Sequence, residues 1–213
     1  MMRAAVLAAA AALAPAATGA AELREITVDY DGKTYTVNSR VWFDAPQQAV
    51  YDVFADWDLS EQFSSVIVEA RDLGRDENGV RRFYVRNRAC VLFFCKTTER
   101  TGSVTEEPPT EIVATANPAE SDFALCEERW SFAPDDEGTL MHYTMHMQPS
   151  FWVPPVVGPW AIKRELREKA GEVIERIEAL AQSGAGADGP GSTPDGDGGN
   201  SRAGDPETMK NHE

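Results

Sequence analysis

Three side chains on predicted strands could take part in acid–base chemistry: Glu128, Tyr84 and Tyr143. Residues 123–132 alternate in character, and Trp130 and Phe132 mark the inward face of that strand, which Glu128 shares. A buried carboxylate without a partner has a raised pKa and can act as a general acid or base. Glu128 is therefore the residue from which a reaction would have to be built.

The alternative for Glu128 is a structural ion pair with an arginine such as Arg86 or Arg88. We favour the ion pair, because a single carboxylate with no nucleophile placed beside it defines no reaction. The sequence accordingly assigns no catalytic residue, and an enzyme is the second hypothesis rather than the first.

Two histidines lie four residues apart on a predicted strand, residues 139–148. His142 and His146 therefore share one face, and a metal site would need that face to be inward and a third ligand to converge on it. The opposite face carries Met141, Tyr143, Met145 and Met147. Flexible thioethers suit the wall of an apolar pocket, although the same row could be ordinary core. We expect the histidines to face solvent, and we expect no metal ion and no cofactor.

The 213 residues carry a net charge of −15, which excludes an electrostatic grip on the phosphates of nucleic acids. Residues 1–21 have the pattern of a signal peptide: Arg3, then an apolar run over residues 4–14, then small residues at Thr18 and Ala20. The apolar run is shorter than the roughly 20 residues that a membrane-spanning helix needs. We therefore expect an exported protein, either periplasmic or secreted.

Residues 183–213 are rich in Gly and Asp and contain no aromatic or branched aliphatic residue. Such a segment buries too little apolar surface to offset its ordering entropy, which predicts a disordered acidic tail. One folded domain, residues 22–182, remains between the two ends, and it holds most of the negative charge.

Export would expose the three cysteines, Cys90, Cys95 and Cys126, to an oxidising environment. Cys90 and Cys95 flank the tip of a hairpin predicted from residues 80–89 and 93–104, so they are our first choice for a disulfide. A bridge from Cys126 to either of them is the alternative. The remaining thiol would be a small buried apolar group.

The order of the predicted elements positions these side chains. A hairpin, residues 22–30 and 34–43, precedes a short helix over residues 47–56. Six further strands follow, near residues 66–73, 80–89, 93–104, 110–116, 123–132 and 139–148. The last helix carries an apolar stripe of Ile162, Leu166, Ala170, Val173, Ile177 and Leu180. This order predicts an α+β fold in which a curved antiparallel sheet packs on the C-terminal helix and leaves a cavity beside it.

Three short sequence segments within residues 39–182 follow one another in a characteristic order. They are residues 41–46 running into 49–56, then Arg129-Trp130-Ser131-Phe132, then Phe151-Trp152-Val153-Pro154-Pro155 before the last helix. Together they resemble the START-like, or SRPBCC, superfamily, especially its polyketide cyclase/dehydrase and coenzyme Q-binding branch. The resemblance implies a helix-grip fold whose hydrophobic pocket binds lipids, quinones, sterols or polyketides. Because some relatives are enzymes, the fold alone does not choose the chemistry.

Two predicted loops carry apolar residues that surface loops normally lack. One is the hairpin tip at residues 91–94, and the other runs from Phe151 to Trp160. These residues either cap the end of the core, or gate the pocket and touch a lipid surface during ligand exchange. The acidity of the domain would keep any membrane contact transient.

We therefore expect a monomer that binds a hydrophobic small molecule, such as a lipid, quinone or polyketide-like compound, and carries or sequesters it. The residues expected to contact the ligand are Trp130, Phe132, Met141, Tyr143, Met145, Met147, Trp152, Ile162 and Leu166. The alternative is a cyclase, dehydratase or hydrolase acting on a polyketide-like or aromatic substrate, with Glu128, Tyr84 or Tyr143 as acid or base. Converging polar side chains in the pocket would favour the enzyme, and a purely apolar pocket would favour the carrier.

Overall fold

A computed structural model describes residues 20–154 and 158–186 of the chain. The strands are β1 (Glu22–Tyr30), β2 (Tyr35–Phe43), β3 (Ile67–Arg75), β4 (Arg81–Val91), β5 (Phe94–Glu107), β6 (Glu111–Ser121), β7 (Phe123–Asp135) and β8 (Gly138–Pro149). The helices are α1 (Gln47–Ala55), α2 (Ser60–Phe63) and α3 (Pro159–Ser183), and a 3-10 turn at Trp57–Leu59 links α1 to α2. Every predicted strand and helix is present, and the 3-10 turn and α2 are additional to them.

The eight strands form one antiparallel sheet in the order β1-β2-β8-β7-β6-β5-β4-β3. Because β2 pairs with β8, the first hairpin joins the last strand, and α1 and α2 carry the chain from β2 to the far edge at β3. Register shifts mark bulges in β1, β3 and β7 and extra residues in β6 opposite β5, and such irregularities bend a sheet. The predicted α+β class, a curved antiparallel sheet with a long C-terminal helix, is confirmed.

One face of the sheet and the helices α1 and α3 enclose the core. The C-terminal half of α3 packs into it through Ile174, Ile177 and Ala181, all buried. Its N-terminal half is less covered, and Leu166 there is 37% exposed. The helix therefore contacts the sheet closely along only part of its length.

The sequence defines both ends of α3. Gly158 precedes the helix and Pro159 is its first residue, where a missing backbone N–H costs nothing. Gly184 follows the last turn with φ 74°, a left-handed conformation that glycine adopts without strain. The helix ends at Ser183, one residue beyond the predicted domain boundary, and residues 187–213 of the predicted tail lie outside the described residues. Neither α3 nor any other helix in residues 20–154 and 158–186 is long and apolar enough to cross a membrane.

Glu178 ties the C-terminal half of α3 to the start of the domain. Its buried carboxylate accepts the backbone N–H of Ala21 at 3.1 Å and that of Asp44 at 2.8 Å. Gly186, just beyond the helix, lies so close to α1 that a Cβ atom there would be 2.5 Å from the carbonyl carbon of Asp52. This end of the helix is thus fixed to β1, to the loop before α1 and to α1 itself.

Gly102 of β5 pairs with Ala116 of β6, immediately after a register shift in which β6 carries three more residues than β5. A Cβ atom at Gly102 would lie 2.1 Å from the carbonyl oxygen of Thr115 in β6, closer than any side chain can approach. Glycine at this position therefore allows β5 and β6 to come together where the sheet bends.

We predict opposite effects on stability from two glycine-to-alanine substitutions. Gly102→Ala should lower the free energy of unfolding by about 3 kcal/mol, because β5 and β6 must separate to admit the methyl group. Gly171→Ala, in the middle of α3 with nothing within 4 Å of the added Cβ, should raise it by about 0.5–1 kcal/mol. Urea unfolding followed by circular dichroism measures both, and a neutral Gly102→Ala would contradict the role given to Gly102.

Candidate functional site

A cavity of about 490 Å³ lies between the concave face of the sheet and α3, which borders it from Ile162 to Ile177. Its walls are mainly apolar, with Val41 and Val85 from the sheet, Phe54 and Phe63 from the short helices and Val173 from α3 among them. It extends along the part of α3 that does not pack closely on the sheet. The cavity is the space that the curvature of the sheet leaves unfilled.

Six of the nine predicted ligand contacts border the cavity: Trp130, Met141, Tyr143, Met147, Ile162 and Leu166. The rings of Trp130 and Tyr143 lie side by side on β7 and β8, with centroids 5.4 Å apart. The alternation used to assign the inward faces of β7 and β8 thus places these side chains on the concave side of the sheet.

The other three predicted contacts lie elsewhere. Phe132 is buried in the core, with its ring 5.7 Å from that of Tyr51 and 5.5 Å from that of Phe54, because α1 covers that end of β7. Met145 is on the inward face of β8, between Val37 and Glu128 in the neighbouring strands, but does not border the cavity. Trp152 is 72% exposed and borders a separate open depression of about 550 Å³.

Glu128 faces the cavity and is paired, but not with the partners expected from the sequence. Arg100 of β5 lies 2.7 Å from its Oε2, and both side chains are more than nine-tenths buried. Arg86 and Arg88 are on the convex face instead, where Arg86 pairs with Glu69 at 2.9 Å. The prediction of an ion pair holds, whereas the predicted partner is wrong, because Arg86 and Arg88 alternate with the inward-facing residues of β4.

Tyr143 completes the cluster by donating its hydroxyl proton to Oε1 of Glu128 at 2.7 Å. Burial, followed by the negative charge of Glu128, raises the pKa of Tyr143 well above its usual value, so the phenol keeps its proton. Burial alone would lower the pKa of Arg100, but the charge of Glu128 outweighs it and raises that pKa. The cluster is therefore an ion pair with a neutral phenol, and both carboxylate oxygens of Glu128 are engaged.

Cys90 and Cys95 form a disulfide beside the cavity, which Cys90 borders. Cys126 is a free, buried thiol, and Nη1 of Arg100 donates to its Sγ at 3.2 Å. Burial raises the pKa of Cys126 to about 11, although the positive charge of Arg100 opposes the shift. The thiol is therefore protonated at neutral pH and takes no nucleophilic role.

The remaining candidates face away from the cavity. Tyr84 lies on the convex side of β4, with the guanidinium of Arg71 4.7 Å from its ring centroid, so it cannot serve a reaction inside. His142 is exposed, and Nδ1 of His146 lies 3.2 Å from Oγ1 of Thr36 on the same outer surface. Across residues 20–154 and 158–186, no group of three or more His, Cys, Asp or Glu side chains could hold a metal ion.

Residues 43–172 match the family described as polyketide cyclase / dehydrase and lipid transport. The chain belongs to this family. A search of curated proteins returns no match. Among solved structures, the chain is similar to the STAR-related lipid transfer protein of Xanthomonas axonopodis, with a TM-score of 0.54, 15% identity and coverage of 77% of this chain and 99% of that one.

Two further solved structures resemble the chain with a TM-score of 0.52 each. The Zhui aromatase/cyclase of Streptomyces sp. R1128 is 14% identical over 70% of this chain and 94% of its own. A START superfamily protein from Mycobacterium smegmatis is 18% identical over 70% of this chain and 97% of its own. At identities this low, the structural similarity establishes only the shared START-like fold. Membership of the polyketide cyclase / dehydrase and lipid transport family supports binding of hydrophobic ligands in general.

Arg100 is the member of the site that the sequence did not reveal. The inward row of β5 reads Thr98, Arg100, Gly102 and Val104, which lacks the apolar alternation that marked β7 and β8. The one available signal in the sequence is that the inward row of β5 is polar while the inward face of β7 carries a carboxylate. In this member of the family, the row supplies the cation that Glu128 requires.

We predict strong energetic coupling between Arg100 and Glu128. Arg100→Met leaves a buried carboxylate without its cation and should lower the free energy of unfolding by about 3–5 kcal/mol. Adding Glu128→Gln removes the stranded charge and retains an acceptor for Tyr143, so the double variant should recover most of that loss. Urea unfolding of the wild type, both single variants and the double variant gives the coupling energy.

The exposed pair Arg164 and Glu168, 2.7 Å apart on α3, provides the matched control. The same substitutions there should show coupling of no more than about 0.5 kcal/mol, because solvent screens that pair. Additive losses at Arg100 and Glu128 would contradict the assignment of a tightly coupled buried pair.

Proposed function

We propose that the protein binds a hydrophobic small molecule in the cavity, namely a lipid, quinone or polyketide-like compound, and carries or sequesters it. The observation that supports the proposal is the composition of the cavity, whose apolar walls contain one buried ion pair, Arg100 and Glu128. A volume of about 490 Å³ is ample for such a ligand, since ligand pockets usually measure roughly 300–1,000 Å³. The apolar walls would contact the hydrophobic part of the ligand.

The ion pair and Tyr143 favour a ligand with one polar end. A carbonyl, hydroxyl or carboxyl group can exchange its hydrogen bonds with water for hydrogen bonds with this cluster, while the rest of the molecule contacts Trp130 and Met141. A purely hydrocarbon ligand would bury the same surface without using the cluster. The proposed ligand is therefore amphipathic.

A cyclase or dehydratase is the second candidate. The observation that favours it is the convergence of Glu128 and Tyr143 at 2.7 Å on the cavity side, in place of a purely apolar pocket. We prefer the carrier, because the phenol of Tyr143 holds its proton and the carboxylate of Glu128 is paired with Arg100, with no nucleophile placed beside it.

We predict that filling the cavity abolishes binding. Ala170 on α3 borders the cavity, whereas Ala179 on the opposite side of the same helix is exposed. Ala170→Phe should weaken binding of the neutral fluorescent probe N-phenyl-1-naphthylamine at least about tenfold, which corresponds to about 1.4 kcal/mol. Ala179→Phe should leave it unchanged, and equal affinities for both variants would contradict the proposal.

A second experiment separates the two candidates: the natural ligand is extracted with organic solvent and analysed by mass spectrometry. A carrier should yield an amphipathic compound whose mass stays constant on incubation with fresh protein. Loss of water from that compound in the presence of wild type, but not of Tyr143→Phe, would establish the cyclase or dehydratase instead.

We further propose that the protein is exported as a monomer after removal of its first residues, and that it meets membranes only transiently. The Cys90–Cys95 disulfide supports an oxidising location. The contact between the backbone nitrogen of Ala21 and Oε2 of Glu178, 3.1 Å apart, supports cleavage after Ala20. Cleavage there would convert that nitrogen to an ammonium group facing a buried carboxylate.

We predict that protein recovered from the periplasm or the medium begins at Ala21, as read by N-terminal sequencing. Glu178→Gln should lower the melting temperature of this mature form more than that of a form that retains residues before Ala21. Only the mature form has an ammonium group that pairs with the carboxylate removed by the substitution. Equal losses in the two forms, or a mature protein that begins further along the chain, would contradict the proposed cleavage site.

A further inference from the structure

The most exposed large apolar side chains lie at one end of the molecule. Phe93 and Leu92 at the tip between β4 and β5 are 78% and 58% exposed, and Trp152 and Trp160 are 72% and 69% exposed. Nζ of Lys96, just after the tip, lies 4.9 Å from the ring centroid of Phe151, which precedes α3. Cys90 and Ile162 both border the cavity, so the tip and the start of α3 adjoin the same space. The exposed apolar residues therefore surround one end of the cavity.

Leu92 occupies its position against the preference of the backbone. Its φ of 55° is left-handed, a conformation in which glycine or asparagine is favoured at a two-residue hairpin turn. A leucine there strains the backbone and exposes its side chain to water. An apolar side chain retained at such a cost in an exposed turn points to a surface that it contacts.

The two segments that carry these residues are basic, whereas the chain as a whole is acidic. Residues 86–96 contain three basic and no acidic residues, and residues 149–170 contain four basic and two acidic residues. These two segments thus hold seven of the 20 Lys and Arg residues of the chain but only two of its 35 Asp and Glu residues. Net charge consequently does not describe this end of the protein.

On α3, the cations and an exposed tryptophan share one face. Trp160, Lys163, Arg164 and Arg167 are spaced three, four and seven residues apart, and the guanidinium of Arg164 lies 6.0 Å from the Trp160 ring centroid. Arg164 also pairs with Glu168, but in the described part of the chain no ion pair joins Lys163 or Arg167 to an acid. The face thus combines an aromatic ring with uncompensated positive charge.

Two carboxylates at the same end of the strands already accept hydrogen bonds from the backbone. Asp31 accepts the backbone N–H groups of Lys33 and Thr34 at 3.0 and 2.8 Å, and Asp122 accepts that of Glu99 at 2.8 Å. The negative charges of these two carboxylates weaken the positive electrostatic potential at this end. The combination of apolar tips and surrounding cations is that of a protein surface that inserts into the headgroup region of an anionic bilayer.

We infer that this end of the molecule, comprising Leu92, Phe93, Trp152, Trp160, Lys163 and Arg167, docks on membranes that contain anionic phospholipid. It specifies the transient membrane contact proposed above, and so rests on that part of the proposed function but not on ligand binding. Docking would place the end of the cavity bordered by Cys90 and Ile162 against the bilayer.

The test is co-sedimentation of the mature protein with vesicles of phosphatidylcholine alone and of phosphatidylcholine and phosphatidylglycerol in equal amounts. Wild type should bind the anionic vesicles preferentially, and added salt should weaken binding. Leu92→Ser combined with Phe93→Ser should lower the partition coefficient at least about tenfold. Lys163→Gln and Arg167→Gln should each lower it about fivefold at low salt.

Matched controls lie at the opposite end of β4. Leu73 and Val80 are 46% and 40% exposed near the turn between β3 and β4, and Arg75 is an exposed cation beside them. Leu73→Ser combined with Val80→Ser, and Arg75→Gln, should bind vesicles as wild type does. Wild type that ignores anionic vesicles, or control variants that lose as much binding as the docking variants, would overturn the inference.

Binding of N-phenyl-1-naphthylamine by each variant separates this inference from the proposed ligand binding. Docking variants that lose vesicle binding but keep the probe support the inference, whereas docking variants that also lose the probe refute it as an independent surface. A wild type that binds vesicles but no probe would contradict ligand binding alone.

Discussion

The central constraint on this fold is geometric: one straight helix packs on a sheet of eight strands that bends around it. Close packing is reached only at the C-terminal half of α3, where Ile174, Ile177 and Ala181 enter the core. Beneath the N-terminal half, the bend draws the sheet away and the cavity of about 490 Å³ remains. Gly102 belongs to this constraint, since β5 and β6 approach each other there so closely that no Cβ atom fits.

An apolar space of this kind can contain charge only if the charge is compensated. Arg100 and Glu128 supply opposite charges 2.7 Å apart, Tyr143 bonds to Glu128 and Arg100 bonds to Cys126, whereas the buried Nε of Arg100 has no hydrogen-bond partner among the described residues. Such a pair is weak evidence for stability, because desolvation cancels much of its attraction. Its placement on the wall of the cavity, rather than within the packed core, is better explained by a ligand that has a polar end.

The sequence predicted the fold well because that prediction depends on local patterns. Alternation in β7 and β8 and the apolar stripe of α3 are readable within ten to twenty residues, and both are present. The composition of the site depends on contacts that are distant in sequence. Trp130 and Phe132 share a face two residues apart, yet only Trp130 borders the cavity, because α1 covers Phe132. Arg100 meets Glu128 across the sheet, where no local pattern in β5 announces it.

The two ends of the molecule differ in how firmly they are held. At the end away from the tip between β4 and β5, the buried guanidinium of Arg81 binds Asp72, Glu106 and the carbonyl oxygen of Ala55, which joins three strands to α1. Glu178, in the C-terminal half of α3, accepts hydrogen bonds from the backbone N–H groups of Ala21 and Asp44. Around the cavity, α3 has fewer buried residues, and local opening costs least where few buried contacts must break. Opening for a ligand is therefore expected at the N-terminal half of α3, with the C-terminal half acting as the fixed support against which it moves.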